Sequence, residues 1–100
     1  MQTDTTPRVP PQLLQLRASI DQIDAEILNA LARRFEVTHQ VGQLKAAHKL
    51  ESVDPVREQE KLVRLGDLAE QQGLDGAFVR RLFQGIFDEV VRNHRGFLKP

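Results

Sequence analysis

The chain contains no cysteine, no tryptophan and no tyrosine. The first absence removes disulfides, thiolate zinc sites and cysteine nucleophiles. The other two leave five phenylalanines as the whole aromatic content, a poor supply for stacking nucleic-acid bases. Excess charge is missing as well. Fourteen Lys and Arg balance 14 Asp and Glu, for a formal net charge of zero. Nucleic acid and anionic membrane surfaces are therefore not expected as partners, because both select a basic excess. No uninterrupted apolar run approaches the roughly 18 residues of a membrane span. The N-terminal MQTDTTPRVPPQ lacks the apolar stretch of a signal peptide, so a cytoplasmic location is expected. Also absent are a glycine-rich phosphate loop, an HExxH pair, a carboxylate cluster and an ordered Ser/His/Asp set. Neither a metal nor a cofactor is expected.

What is present suits one small helical domain of 100 residues, 40% hydrophobic and 28% charged. Three of the five prolines fall in residues 1–11, which read as a flexible tail before a folded domain over 12–98. Steps of three and four residues then join Leu13, Leu16, Ile20, Ile23, Ile27, Ala30, Arg34, Val37, Val41, Leu44 and His48. That rhythm predicts one helix over about residues 12–48, with Gly42 the sole breaker inside it. Such a helix is about 55 Å long at 1.5 Å per residue, against a radius of gyration of about 13 Å for a compact chain of this size. Asp54-Pro55 is a cap followed by a first-turn proline, and it predicts a second helix with Leu62, Leu65, Leu68 and Ala69 inward and Gly73 as the stop. Asp75 caps a third helix running to about residue 96, with Val79, Phe83, Ile86, Val90 and Phe97 on one face. The fold class is all-α, three helices with one very long. Helices two and three cannot cover the whole first seam. A second copy of the chain is the economical cover, which predicts a homodimer.

The polar residues that break the apolar stripes carry the chemistry. Arg34 sits mid-seam, where an unpartnered guanidinium is costly; a salt bridge to a core acid is its plain structural alternative. Lys45 returns to the same face about three turns later, some 16 Å along the axis, and Thr38 lies between them. Glu58 continues the second stripe inward, with Arg57 beside it; a solvated first turn is the alternative for that pair. His94 follows Val90 by one turn and equally suits a satisfied core histidine. Arg17 is about 25 Å from Arg34 along one helix, so the two grip one small molecule only if Arg17 comes from a partner chain. The set Arg34, Lys45, Arg57 and a partner Arg17, with Glu58 as the single acid, predicts a pocket for a dicarboxylate bearing one hydroxyl. With no nucleophile evident, the chemistry is electrostatic and conformational.

Four segments in this order, LRASIDQIDAEILNALARRFEV (16–37), VGQLK (41–45), DPVREQEKL (54–62) and GLDGAFVRRLFQGIFDEVV (73–91), resemble the all-helical chorismate mutases. The resemblance implies an intertwined homodimer with shared active sites and a cofactor-free Claisen rearrangement of chorismate to prephenate. It implies that Arg17 of one protomer and Arg34 of the other bind substrate carboxylates, and that Arg57 helps hold a carboxylate. Lys45 would bond the ether oxygen and a carboxylate, and Glu58 would accept from the ring hydroxyl with the Asp54 backbone nearby. Two positions depart from the best-known bacterial pattern. Val90 stands where a serine touches a carboxylate. His94 stands where a glutamine or glutamate serves the ether oxygen, which implies turnover that varies with pH between about 5 and 8 and is higher on the acidic side.

Other enzymes share the scaffold. Isochorismate-pyruvate lyases act on a substrate lacking the hydroxyl that Glu58 would read. A 4-amino-4-deoxychorismate mutase fits as well, because Glu58 would accept from an ammonium too. A non-catalytic helical dimerisation module explains the seam but not four inward cations facing one acid. No dehydrogenase, dehydratase or regulatory domain is appended, so a monofunctional isomerase is expected, with activation by a partner synthase left open.

Overall fold

A computed structural model describes residues 8–51 and 53–96. Among them lie three helices, α1 (Pro11–Ala47), α2 (Pro55–Gln71) and α3 (Gly76–Gly96), and no strand. Residues 1–7 of the expected tail, Ser52 of the first connection, and Phe97 with the remaining C-terminal residues lie outside the described ones. No helix among the described residues is long and apolar enough to cross a membrane.

Each helix end has a local cause. The Pro10 carbonyl accepts from the amides of Leu13 at 2.9 Å and Leu14 at 3.3 Å, while Pro11 needs no partner for an amide it lacks. At the other end of α1, the Lys49 amide donates to the Ala46 carbonyl at 3.1 Å and the Leu50 amide to the Lys45 carbonyl at 2.8 Å. This paired closure needs a left-handed residue, and Lys49 supplies it at φ 57°. The Asp54 side chain caps α2 by accepting from the Arg57 amide at 3.1 Å, with Pro55 in the first turn. The same closure ends α2: Gly73 at φ 78° donates to Glu70 and Leu74 donates to Ala69. Asp75 caps α3 through the Ala77 amide at 3.0 Å, and Glu70 adds a second cap by accepting from the Gly76 amide at 2.9 Å.

The chain divides into two compact units, residues 1–34 and 35–100. The described part of the first is the N-terminal stretch of α1. Its apolar residues Leu16, Ile20, Ile23 and Ile27 are exposed, Ile27 by 58%. The second unit contains the rest of α1 with α2 and α3, and there α2 packs against α3. Leu62, Ala69, Val79 and Phe87 form its core, with Phe83 and Phe87 edge to face at 6.2 Å between centroids.

Two expectations shift. Leu68, placed inward from the sequence, is 44% exposed, whereas Gly66 is buried. The inner face of α2 is Leu62, Gly66 and Ala69, at four- and three-residue steps. Leu68 is rotated about 100° away from Ala69. Phe87, which the three-four rhythm passed over in favour of Ile86, is buried.

Candidate active site

Arg17 and Arg34 both belong to the first unit. Arg17 is exposed and Arg34 is half-buried. Burial holds the Arg34 guanidinium below its ordinary pKa, because desolvation disfavours the charged form.

The remaining candidates lie in the second unit. Lys45 is half-buried in the last turn of α1. Its own carbonyl is taken by the Leu50 amide, so the backbone that carries the ammonium is closed off immediately after it. Asp54, Arg57 and Glu58 are brought together by the start of α2. The Asp54 carboxylate accepts from the Arg57 amide, and the Asp54 carbonyl accepts from the Glu58 amide at 3.0 Å. This pins two successive residues at the helix N-terminus. Glu58, half-buried while Asp54 and Arg57 are exposed, is an anion where the helix dipole favours one.

On α3, Val90 is half-buried and His94 is buried. His94 Nε2 lies 2.7 Å from the backbone carbonyl of Thr38 on α1. The Thr38 hydroxyl turns back to the Phe35 carbonyl at 3.2 Å. Three hydrogen-bonding or packing roles were not read from the sequence, those of the Thr38 carbonyl, Gly42 and Glu70. The Thr38 carbonyl and Gly42 belong to the regular ladder of a helix. Glu70 reads as a surface acid until the chain turns and brings Gly76 to it. Thr38 left a trace as a residue on the face between Arg34 and Lys45, and Gly42 as the one glycine in a long helical run.

Within the second unit the candidates are the half-buried Lys45 and Glu58 and the exposed Arg57, a set of charged groups carried by helices alone. The comparisons with known proteins define it further. The model of the chorismate mutase type II family matches residues 16–95, and the chain belongs to that family. It is 34% identical over 87 residues to the bifunctional chorismate mutase/prephenate dehydratase of Escherichia coli (strain K12), covering 87% of this chain and 22% of that protein. It is 31% identical over 77 residues to a 4-amino-4-deoxychorismate mutase of Streptomyces pristinaespiralis, covering 77% of this chain and 60% of the relative. A 4-amino-4-deoxychorismate mutase of Streptomyces venezuelae is 28% identical over 81 residues, covering 81% and 79%. The chain thus spans 60% and 22% of the length of the first two kinds of relative.

Proposed function

We propose that this chain catalyses the rearrangement of chorismate to prephenate as a homodimer with two shared sites. One observation supports this most strongly. The family match over residues 16–95 contains all of the candidate polar residues: Arg17, Arg34, Lys45, Asp54, Arg57, Glu58 and His94.

The reaction needs the enolpyruvyl arm folded over the ring. Arg34, Arg57 and a partner protomer's Arg17 hold the two carboxylates in that conformer, a positional contribution. As the ether C–O bond breaks, negative charge grows on its oxygen. The Lys45 ammonium meets that charge only as it forms, so it lowers the barrier more than it tightens binding. Glu58 accepts from the ring hydroxyl and sets the register of the ring. Val90 contributes an apolar wall. No proton transfer or covalent intermediate is required.

The exposed seam of α1 supports the dimer. Leu16, Ile20, Ile23, Ile27, Val37 and Leu44 are all more than half exposed in one chain, which a second protomer would cover. A second reading, 4-amino-4-deoxychorismate as substrate, is favoured by the relatives of that name and by Glu58, which accepts from an ammonium equally well. Offering chorismate, isochorismate and 4-amino-4-deoxychorismate in parallel and identifying the products by mass spectrometry decides. Prephenate from chorismate is the expected result. Selective conversion of the amino analogue moves the assignment to it, and conversion of none refutes both.

A further inference from the structure

Gly42 is the one glycine in α1 and also its buried residue. Glycine is the poorest helix former after proline, so its place in the middle of a helix asks for a reason. A helical side chain lies over the turn N-terminal to its own Cα. At position 42 that turn holds Thr38, so a side chain there would lie toward the Thr38 carbonyl. The carbonyl receives His94 Nε2 at 2.7 Å. A carbonyl oxygen only accepts, so Nε2 carries the hydrogen and donates. In a regular helix the same oxygen also takes the amide of residue 42, and His94 uses its second lone pair. His94 is 4% exposed, so little water competes for the bond.

We propose that Gly42 and His94 form a positioning clamp, which sets the final turns of α1, and with them Lys45, against α3. The proposal rests on the chorismate mutase reading and deepens it. Lys45 follows Thr38 by about two turns on the same side of the helix. That stretch is tied at both ends, by His94 at Thr38 and by the Leu50 amide at the Lys45 carbonyl. A neutral imidazole has one N–H, and here it is spent on backbone. His94, through this bond to the α1 backbone, is thus a positioning residue that acts through Lys45.

Two measurements test this. Nitrogen-15 NMR of the ligand-free wild-type protein at about pH 8.5, where histidine is ordinarily neutral, reads the tautomer directly. A protonated Nε2 with a bare Nδ1 is expected, and the reverse tautomer overturns the clamp. This arm does not depend on turnover, so it stands apart from the chorismate assay of the wild type, which tests the function itself.

The second measurement uses variants. The glutamine amide reaches about as far as Nε2, whereas the asparagine amide stops near Nδ1. His94→Asn and Gly42→Ala should each lower turnover about tenfold or more with a Michaelis constant within about twofold of wild type. His94→Gln should recover most of what His94→Asn loses. The double variant Gly42→Ala/His94→Asn should be no worse than the weaker single one, because both break the same bond. Alanine is the better helix former, but breaking the bond leaves a buried donor unpaired, so turnover of Gly42→Ala is read at temperatures where circular dichroism shows the variant fully folded. Wild-type turnover in Gly42→Ala, or losses that multiply in the double variant, overturns the proposal.

Discussion

A side-chain carbon added at Gly76 would stand 2.9 Å from the backbone carbonyl oxygen of Gly66. The start of α3 therefore crosses α2 too closely for any residue but glycine. At Gly66 itself, an added carbon meets the Arg80 side chain, which is long and exposed and can swing away. Gly76→Ala should destabilise by about 1–3 kcal/mol, the usual cost of forcing atoms into a packed contact. Gly66→Ala should cost far less, with better helix propensity offsetting the displaced arginine. Urea unfolding of both variants checks the order. Equal losses would mean that the crossing is not held by Gly76.

Lys49 ends α1 at φ 57°, a conformation that disfavours every residue with a Cβ except, mildly, Asn and Asp. Lys49→Gly should therefore raise stability by up to about 1 kcal/mol. Lys49→Val should lower it, because a branched Cβ fits this region worst. Thermal melts decide, and a lower melting temperature for Lys49→Gly would show that the lysine side chain contributes more than its backbone costs.

Desolvation lowers the pKa of Arg34, which means that the charged form is disfavoured by its surroundings before substrate arrives. A guanidinium is not deprotonated in the working pH range, so Arg34 adds no pH dependence to stability there. Arg34→Met removes the desolvated charge while keeping an unbranched apolar stem. Its melting temperature should match or exceed that of the wild type, while turnover falls at least a hundredfold, about 3 kcal/mol of transition-state stabilisation. A strongly destabilised variant would assign Arg34 to structure instead.

Lys45→Ala should lower the turnover number about a hundredfold or more while raising the Michaelis constant little. That is the pattern for a charge engaged only as the ether bond breaks. Steady-state kinetics on chorismate separates the two constants. A loss confined to the Michaelis constant would make Lys45 a ground-state carboxylate binder.

Arg17 and Arg34 are separated by seventeen positions on one helix, so a shared site takes one from each protomer. Inactive Arg17→Ala mixed with inactive Arg34→Ala, under conditions that exchange subunits, should recover part of the activity. One of the two sites in a mixed dimer then has both arginines. No recovery despite exchange shown by mass spectrometry, or a monomer by sedimentation, removes the shared site.

Most helix limits were legible because their causes are local. Asp54-Pro55 and Asp75 cap where they stand, and Gly73 takes the positive φ that stops α2. Each of these interactions closes within a turn or two of chain. The end of α1 was predicted within a residue, yet its device was not, because a lysine in the left-handed region has no signature in the sequence. The candidate site was legible as a set of polar interruptions, since a charge in an apolar stripe shows in any helical reading. Where each of those side chains finds its partner did not show.

The sequence by itself determined three helices, the caps of α2 and α3 and the positions at which charge interrupts apolar faces, since these depend on residues a few positions apart. Tertiary structure decided how far each helix is rotated about its axis. Rotation turns Gly66 inward and Leu68 outward on α2, and buries Phe87 on α3. It also decided that Glu70 reaches the Gly76 amide and that His94 donates to a carbonyl 56 residues away. Stripes at three- and four-residue steps leave that rotation uncertain by tens of degrees. Only the shape of the neighbouring helix, and the need to pair each buried polar group, selects one value.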